Sequence, residues 1–193
     1  MNRPRGRPTR SHAIPSRESM LSSCLEFLDA EGVDAFTMRA LAMRLQVNPM
    51  TIYHHFRDRD GLIEAMSEYV YRGVSAPESG PPQFRIKGLL QSYHSQVLKH
   101  TGLALLIFSS QTAFPDQARR ITEELVQLLN ETGMPSERSQ LWVSILVDFT
   151  HGAAIATATS RRTSAQGSSG GASADDGYSE ALEELLDGLP NSR

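Results

Sequence analysis

Two short helical segments follow one another closely between residues 37 and 56. The first begins after Thr37 and ends at Leu45. Asn48 and Pro49 then start the second, because Asn is a favoured N-cap and Pro is favoured at the first helical position. Each segment has one apolar face: Leu41, Ala42 and Leu45 in the first, and Val47, Ile52 and Phe56 in the second. Two helices joined by about three residues have the spacing of a helix-turn-helix motif.

Capping residues also delimit the neighbouring helices. Ser16 and Gly32 bound a predicted first helix, and Asp58 starts a predicted fourth. After a break rich in Pro and Gly at 75–83, apolar spacing predicts further helices at about 84–100, 102–110, 115–131, 137–162 and 178–187. The Gly-, Ser- and Ala-rich segment 163–176 is predicted to be a mobile loop. No useful stretch alternates with the period of a strand, so the predicted fold is all-α with about nine helices.

These breaks divide the chain into three parts. Residues 1–15 hold three prolines and four arginines and are predicted to be a flexible basic arm. Residues 16–74 contain the three-helix helix-turn-helix unit and the fourth helix, and residues 84–193 form a larger helical domain. Arginines thus gather at the N-terminus of a chain whose net charge is −3, at a place where they could meet phosphate.

Composition excludes several other classes. The single cysteine, Cys24, excludes an internal disulfide framework and a Cys-only metal cluster, and it fits a reducing cytoplasm. The apolar run 103–108 is too short to cross a bilayer, and the longer run 141–158 is interrupted by Asp148 and His151. The basic N-terminus lacks the apolar segment of a signal peptide. We therefore predict a cytoplasmic protein without a membrane segment.

The segment 16–70 resembles the N-terminal domain of the TetR-type (tetracycline-repressor) family. That family has a helix ending in Gly, a Thr-capped helix with Ala, a Val-containing turn and a short helix closing in Tyr-x-His-Phe. A basic residue and an apolar pair follow. The matching residues here are Gly32, Thr37, Ala42, Val47, Tyr53, His55, Phe56, Arg59, Leu62 and Ile63. One departure is Gln46, which stands where the turn usually carries Gly; a left-handed backbone there costs a non-Gly residue about 1 kcal/mol.

The resemblance implies a transcriptional regulator that binds double-stranded DNA, and the helical geometry suggests which residues touch it. Thr37 and Arg39 are expected to reach phosphate from the start of the second helix, and Arg59 from the start of the fourth. By resemblance, Tyr53 and His54 also contact the DNA backbone. Asn48, Met50 and Thr51 are the predicted base readers, whereas His55 and Phe56 are assigned to packing. The arginine-rich arm is a further candidate for minor-groove contact.

Aromatic and polar residues on the C-terminal helices are either ordinary core or the lining of a small-molecule pocket. For any one of these residues, ordinary core is the simpler interpretation. Together they have the usual makeup of a ligand site, an apolar cavity with a few polar groups, and the family resemblance adds support for it. The predicted pocket residues are His94, Leu98, Phe108, Trp142, Phe149 and His151. The effector's identity is not written in the sequence.

Reading a palindromic operator requires two copies of the chain, so a homodimer is predicted. The last two helices are the candidate interface, because one carries small residues and the other an apolar stripe. The residues predicted to form it are Gly152, Ala153, Ala156, Leu182, Leu185 and Leu186. The alternative is that the last helix only covers its own domain.

Three functional hypotheses apply to the whole chain. The first is a repressor released from its operator by a small molecule, and the second is a dimeric regulator whose C-terminal domain binds no small ligand. The third, an enzyme, would need a convergent set of acid, base or nucleophile, and no such catalytic set is found in the sequence. No cofactor motif is found either. Adjacent His54 and His55 point about 100° apart on a helix, so no metal site is predicted.

Overall fold

The computed structural model describes residues 15–109, 114–164 and 174–189, and all regular structure in these ranges is helical. The predicted all-α fold is confirmed. The helices are α1 (Arg17–Glu31), α2 (Met38–Leu45), α3 (Pro49–Phe56), α4 (Arg59–Tyr71), α5 (Pro82–Lys99), α6 (Thr101–Ser109), α7 (Asp116–Glu131), α8 (Ser136–Ser164) and α9 (Ala174–Asp187).

The first four helices begin where the capping residues predict. The side chains of Ser16, Thr37, Asn48 and Asp58 each accept a hydrogen bond from a backbone N–H in the first turn of the helix that follows. Gly32 ends α1 with a φ of 83°, a conformation that suits glycine. The predicted buried face of α1, which includes Met20, Cys24 and Leu28, is buried in the structure.

Helices α5, α7 and α8 pack against one another and form the core of the C-terminal half, with α9 lying on α5 and α8. Residues 136–161 of α8 are long enough and apolar enough to cross a membrane, with a mean hydropathy of 1.4. No such segment was predicted from the sequence. Its buried residues, among them Val143, Leu146 and Ala154, belong to the hydrophobic core, and the helix packs on α5 and α7. Core packing therefore accounts for part of the apolar composition of α8, since 33% of this stretch is buried.

Two predicted segments differ from the structure. Both ends of the predicted loop 163–176 are helical, because α8 continues to Ser164 and α9 begins at Ala174. Residues 165–173 lie outside the described residues, as do residues 1–14 of the predicted arm. The predicted break at 75–83 is packed rather than free: the Ala76 N–H donates to Glu124 Oε1 (2.8 Å), and Arg85 Nε donates to the Pro77 carbonyl (3.1 Å).

Helices α1 and α4 contact the C-terminal half. Helix α4 packs on α5, α6 and α7, and α1 packs on α6. At the contact between α1 and α6, Asp29 accepts a hydrogen bond from the Gly102 N–H (3.2 Å), and its other carboxylate oxygen lies 3.0 Å from His100 Nδ1. A Cβ at Gly102 would lie 2.9 Å from Leu28 Cγ, so α1 and α6 approach more closely than a larger residue permits.

Candidate nucleic-acid interface and ligand cavity

Helix α3 presents a clear outer face to solvent. Asn48 caps it by accepting a hydrogen bond from the Met50 N–H (2.9 Å), and Pro49 fills the first helical position. Ile52 and Phe56 are buried beneath it. On the opposite face the side chains of Met50 and Tyr53 are 68% and 39% exposed. Because the helix is only eight residues long, its position depends on packing rather than on its own stability.

Helix α2 and the turn after it fix α3 in place. Leu41 and Ala42 are buried, and the Val47 N–H donates to the Ala42 carbonyl (3.1 Å) across the turn. Gln46 lies in the left-handed region with φ 54° and ψ 38°. The turn thus has the ordinary left-handed geometry that glycine favours, and a residue with a side chain adopts it.

All eight residues predicted to contact DNA lie at the surface of α2, α3 or the start of α4. Six of them are exposed, and Thr51 and Arg59 are half-buried. The caps limit what two of them can offer: Thr37 Oγ1 and Asn48 Oδ1 already accept backbone hydrogen bonds. Thr37 keeps its O–H and Asn48 its NH₂ group as donors, which suit phosphate oxygens and base acceptors.

The N-terminus of α4 contains a close approach that the sequence analysis missed. A Cβ at Gly61 would lie 2.2 Å from the carbonyl oxygen of Phe56, so only glycine fits against the end of α3. Asp58 accepts a hydrogen bond from the Gly61 N–H (2.7 Å) at the same place. The sequence signal for this close contact was Gly61 itself, the third residue of the helix that Asp58 caps. A better helix former would ordinarily be preferred at that position. Arg17 adds to this corner by placing its guanidinium 5.2 Å from the Phe56 ring centre.

A cavity of about 470 Å³ lies among α5, α6, α7 and α8. Its volume is within the range of small-molecule sites in proteins. The side chains that matter most for its chemistry are Tyr93, Phe108, Phe114, Val147, Asp148 and His151.

Only two of the six predicted pocket residues, Phe108 and His151, line this cavity. His94 is buried and stacks on the ring of Tyr178, with ring centroids 3.8 Å apart. Phe149 stacks on the same Tyr178 ring, with centroids 5.6 Å apart. Leu98 and Trp142 are partly buried and pack against the hydrophobic core. The prediction was wrong for these four residues, because α9 and the core occupy the faces on which they lie.

The polar centre of the cavity is a hydrogen bond between Tyr93 and His151, whose Oη and Nε2 atoms lie 2.7 Å apart. Burial lowers the pKa of His151 from 6.5 to about 4, against a smaller opposite effect of Asp148. His151 is therefore neutral at pH 7. Its Nδ1 is buried and has no hydrogen-bond partner among the described residues. The Phe108 ring stands edge-on to the imidazole at 4.6 Å.

Helix α7 joins the cavity region to α4. Arg120 donates to the carbonyl oxygens of Val74 and Tyr71 at the end of α4, and it pairs with Glu124 at 3.2 Å. At the other end of the contact, Glu64 accepts from the Asp116 N–H (3.1 Å). Ile121 and Thr122, one turn or less from Arg120, line the cavity. The helix that borders the cavity is thus hydrogen-bonded to the helix that follows the DNA-facing segment.

The residues predicted for a dimer interface separate into two groups. Gly152 and Ala156 are exposed on α8, Ala153 and Leu185 are half-buried, and no atom lies within 4 Å of a Cβ built on Gly152. Leu182 and Leu186 are buried within the chain itself. These two are therefore core residues without free surface, and their assignment to the interface was wrong. Leu141 and Ile145, which the prediction omitted, are exposed on α8.

Comparisons with known proteins agree with this geometry. Residues 21–66, which span most of α1 through α4, match the family model described as bacterial regulatory proteins, tetR family. The tetracycline repressor protein class D of Escherichia coli is 25% identical over 145 residues, or 72% of this chain and 65% of that protein. The class E repressor of the same organism is 27% identical over the same length. The match therefore covers about two thirds of the length of these relatives.

Solved structures show the same fold. The Mycobacterium smegmatis protein BioQ superposes with a TM-score of 0.75 at 21% identity, covering 91% of this chain and 97% of that one. A TetR variant from Acinetobacter baumannii AYE in complex with minocycline gives a TM-score of 0.67 at 20% identity, covering 91% and 96%. A capped α3 with an exposed outer face, packed on the apolar side of α2, is a helix-turn-helix motif. Residues 21–66 of this chain match the tetR family of bacterial regulatory proteins, and the curated proteins that the chain resembles are named as repressors and transcriptional regulators.

Proposed function

We propose that this protein is a dimeric, sequence-specific repressor that leaves its operator when a small molecule occupies the cavity among α5 to α8. The observation that carries the proposal is the outward face of α3, where Met50 and Tyr53 are exposed while Ile52 and Phe56 are buried. A major groove admits an α-helix with such a face. The donors left on Thr37 and Asn48, and the exposed Arg39, suit the flanking phosphates.

Dimerisation would place two copies of α3 about 34 Å apart, one helical turn of DNA. The open α8 face with Leu141, Ile145, Gly152 and Ala156 supports α8 as the contact surface. A test is Ala156→Glu, which introduces a charge into that face. We expect a dimer for the native protein in sedimentation equilibrium and a monomer for the variant, whereas Gln127→Glu, at an exposed position of α7, should leave the dimer intact. A monomeric native protein would refute this part.

Selection of bound DNA from a random pool tests DNA reading itself. We expect a palindrome with half-sites one helical turn apart. Met50→Ala should change the preferred bases, since Met50 faces the groove, whereas Tyr53→Phe should weaken binding to all sequences about equally. The matched control is Tyr69→Phe, an exposed tyrosine on α4. Recovery of unenriched sequence would contradict the proposal.

A regulator that binds no small ligand is the second candidate. The cavity of about 470 Å³ favours the effector model over it, since a fully packed C-terminal half would leave no room for a ligand. The α7 contacts at Arg120 and Glu64 offer a route by which occupancy would shift α4, and through it α3. Binding of a ligand in the cavity should then lower operator affinity. The factor equals the ligand's preference for the helix arrangement that does not bind DNA over the one that does. Such a DNA-binding regulator would act in the cytoplasm.

A further inference from the structure

We propose that the cavity selects a lipophilic organic cation bearing aromatic rings. The inference rests on the proposed effector site and adds the chemical class of the ligand. It depends on three features of the cavity: its apolar wall, the sign of the one charged group among the described lining residues, and two exposed phenyl rings.

The wall is largely apolar. Ile107, Ile121, Val143 and Val147 line the cavity from α6, α7 and α8. Two hydroxyl groups of the lining are already used within their own helices: Thr122 donates to the Ala118 carbonyl (2.8 Å), and Ser144 donates to the Gln140 carbonyl (3.4 Å). A ligand that fills this space gains affinity mainly by burying its apolar surface away from water, and it finds few free groups for hydrogen bonds.

The only charge on the described lining is negative. Asp148 is the one acidic residue, and no Lys or Arg lines the cavity within the described ranges. His151, one turn along α8, cannot neutralise Asp148, because burial keeps the imidazole uncharged at pH 7. Asp148 itself has no ion pair or hydrogen bond among the residues that the structure describes. Its charge therefore attracts a cation and repels an anion.

An exposed carboxylate on a helix is ordinarily just solvated, so the neighbouring rings decide the argument. Phe108 and Phe114 line the same cavity, and their side chains are 58% and 57% exposed. Large apolar side chains left open in this way are ready partners for a ligand. The faces of phenyl rings attract cations, and a carboxylate beside them supplies the counter-charge. Together these groups match a cation with an aromatic, lipophilic body.

A pair of probes of the same shape and opposite charge tests the proposal. Tetraphenylphosphonium and tetraphenylborate each present four phenyl rings around a single charge. We expect isothermal titration of the full chain to give phosphonium binding about ten-fold tighter than borate binding, which corresponds to about 1.4 kcal/mol. The neutral analogue triphenylphosphine oxide should lie between the two ions.

Asp148→Asn assigns the charge preference to one residue. In this variant the phosphonium-to-borate ratio should fall to within about two-fold, because the charge is removed and the shape retained. Glu137→Gln is the matched control: it removes one negative charge from the first turn of the same helix, outside the cavity lining. Its ratio should equal that of the native protein.

The outcomes separate the two proposals. Equal binding of both ions, no saturable phosphonium binding, or a ratio that persists in Asp148→Asn would overturn the cation inference and leave DNA binding untouched. Phosphonium binding of the expected preference with unchanged operator affinity would support the cation site, but it would refute effector-driven release.

Discussion

The Tyr93 hydroxyl oxygen lies 2.7 Å from His151 Nε2 and joins α5 to α8 at the wall of the cavity. Burial raises the pKa of Tyr93 and lowers that of His151, so both groups are neutral at pH 7. With Tyr93 as the donor, its proton has an acceptor and His151 carries its own hydrogen on Nδ1. The Phe108 ring stands edge-on to the same imidazole, with ring centroids 4.6 Å apart.

This neutral histidine makes stability depend on pH. The pKa of His151 is 6.5 in the unfolded chain and about 4 in the fold, so the unfolded state binds more protons between these values. Stability is therefore lost as pH falls from 6.5 toward 4, by roughly 2 kcal/mol between pH 7 and pH 5. His151→Gln, which keeps an acceptor for Tyr93, should remove this component in urea unfolding at the two pH values.

The matched control is His54→Gln, which changes an exposed histidine on α3. It should keep the native pH dependence. A His151→Gln protein that loses as much stability on acidification as the native chain would show that His151 is not the group responsible.

The left-handed turn offers a stabilising substitution. Gln46 has a φ of 54°, a conformation that costs a residue with a Cβ about 1 kcal/mol and costs glycine nothing. Gln46→Gly should therefore raise the free energy of unfolding by about 0.5 to 1 kcal/mol. Arg44→Gly, in the last turn of α2, should instead lower it by about 1 kcal/mol. If both variants lose stability in urea unfolding, the turn at Gln46 is not strained.

Local chemistry explains why the helix-turn-helix could be predicted. Each capping side chain bonds to a backbone N–H within one helical turn of its own position. Each caps the helix that it was predicted to cap: Ser16, Thr37, Asn48 and Asp58. The start of α9 lacked such a signal, and the prediction placed it at residue 178 rather than Ala174. The solvent-facing residues of α3 could be predicted from helical periodicity. Ile52 and Phe56 are apolar and buried, so the opposite side of the helix must face solvent.

The cavity could not be read from the sequence to the same extent. His94 and His151 are both buried histidines on C-terminal helices, but only His151 lines the cavity. Tyr178 of α9 determines the difference, because it stacks on His94 and shares a hydrogen bond with Thr150 (2.9 Å). Such contacts join residues far apart in sequence, and helical periodicity alone does not reveal them.

The contact between α1 and α6 depends on the small size of Gly102. A Cβ there would lie 2.9 Å from Leu28 Cγ and 3.1 Å from the Leu28 carbonyl oxygen, which is backbone and cannot move aside freely. Gly102→Ala should cost about 1 to 3 kcal/mol of stability through overpacking. Gly177→Ala is the control, since nothing lies within 4 Å of its Cβ, and it should gain up to about 1 kcal/mol as a better helix former. Equal effects of the two in thermal unfolding would contradict this account.

Arg120 holds the end of α4 against α7. Its guanidinium donates to the carbonyl oxygens of Tyr71 and Val74, and it pairs with Glu124. Arg120→Met keeps much of the apolar stem but leaves these acceptors without their charged donor, so it should cost about 1 to 3 kcal/mol in urea unfolding. It should also weaken the effect of a cavity ligand on operator affinity, because one of the hydrogen-bonded links between α7 and the end of α4 would be lost.

The neighbouring Arg119 separates this role from a general loss of charge. Its guanidinium pairs with Asp116 at 2.8 Å on an exposed face, and surface pairs of this kind contribute less than about 1 kcal/mol. Arg119→Met should therefore leave both stability and ligand response close to native. A ligand response that survives in Arg120→Met as fully as in Arg119→Met would mean that the signal reaches α4 by another contact, of which the Glu64 bond to the Asp116 N–H is the next to test.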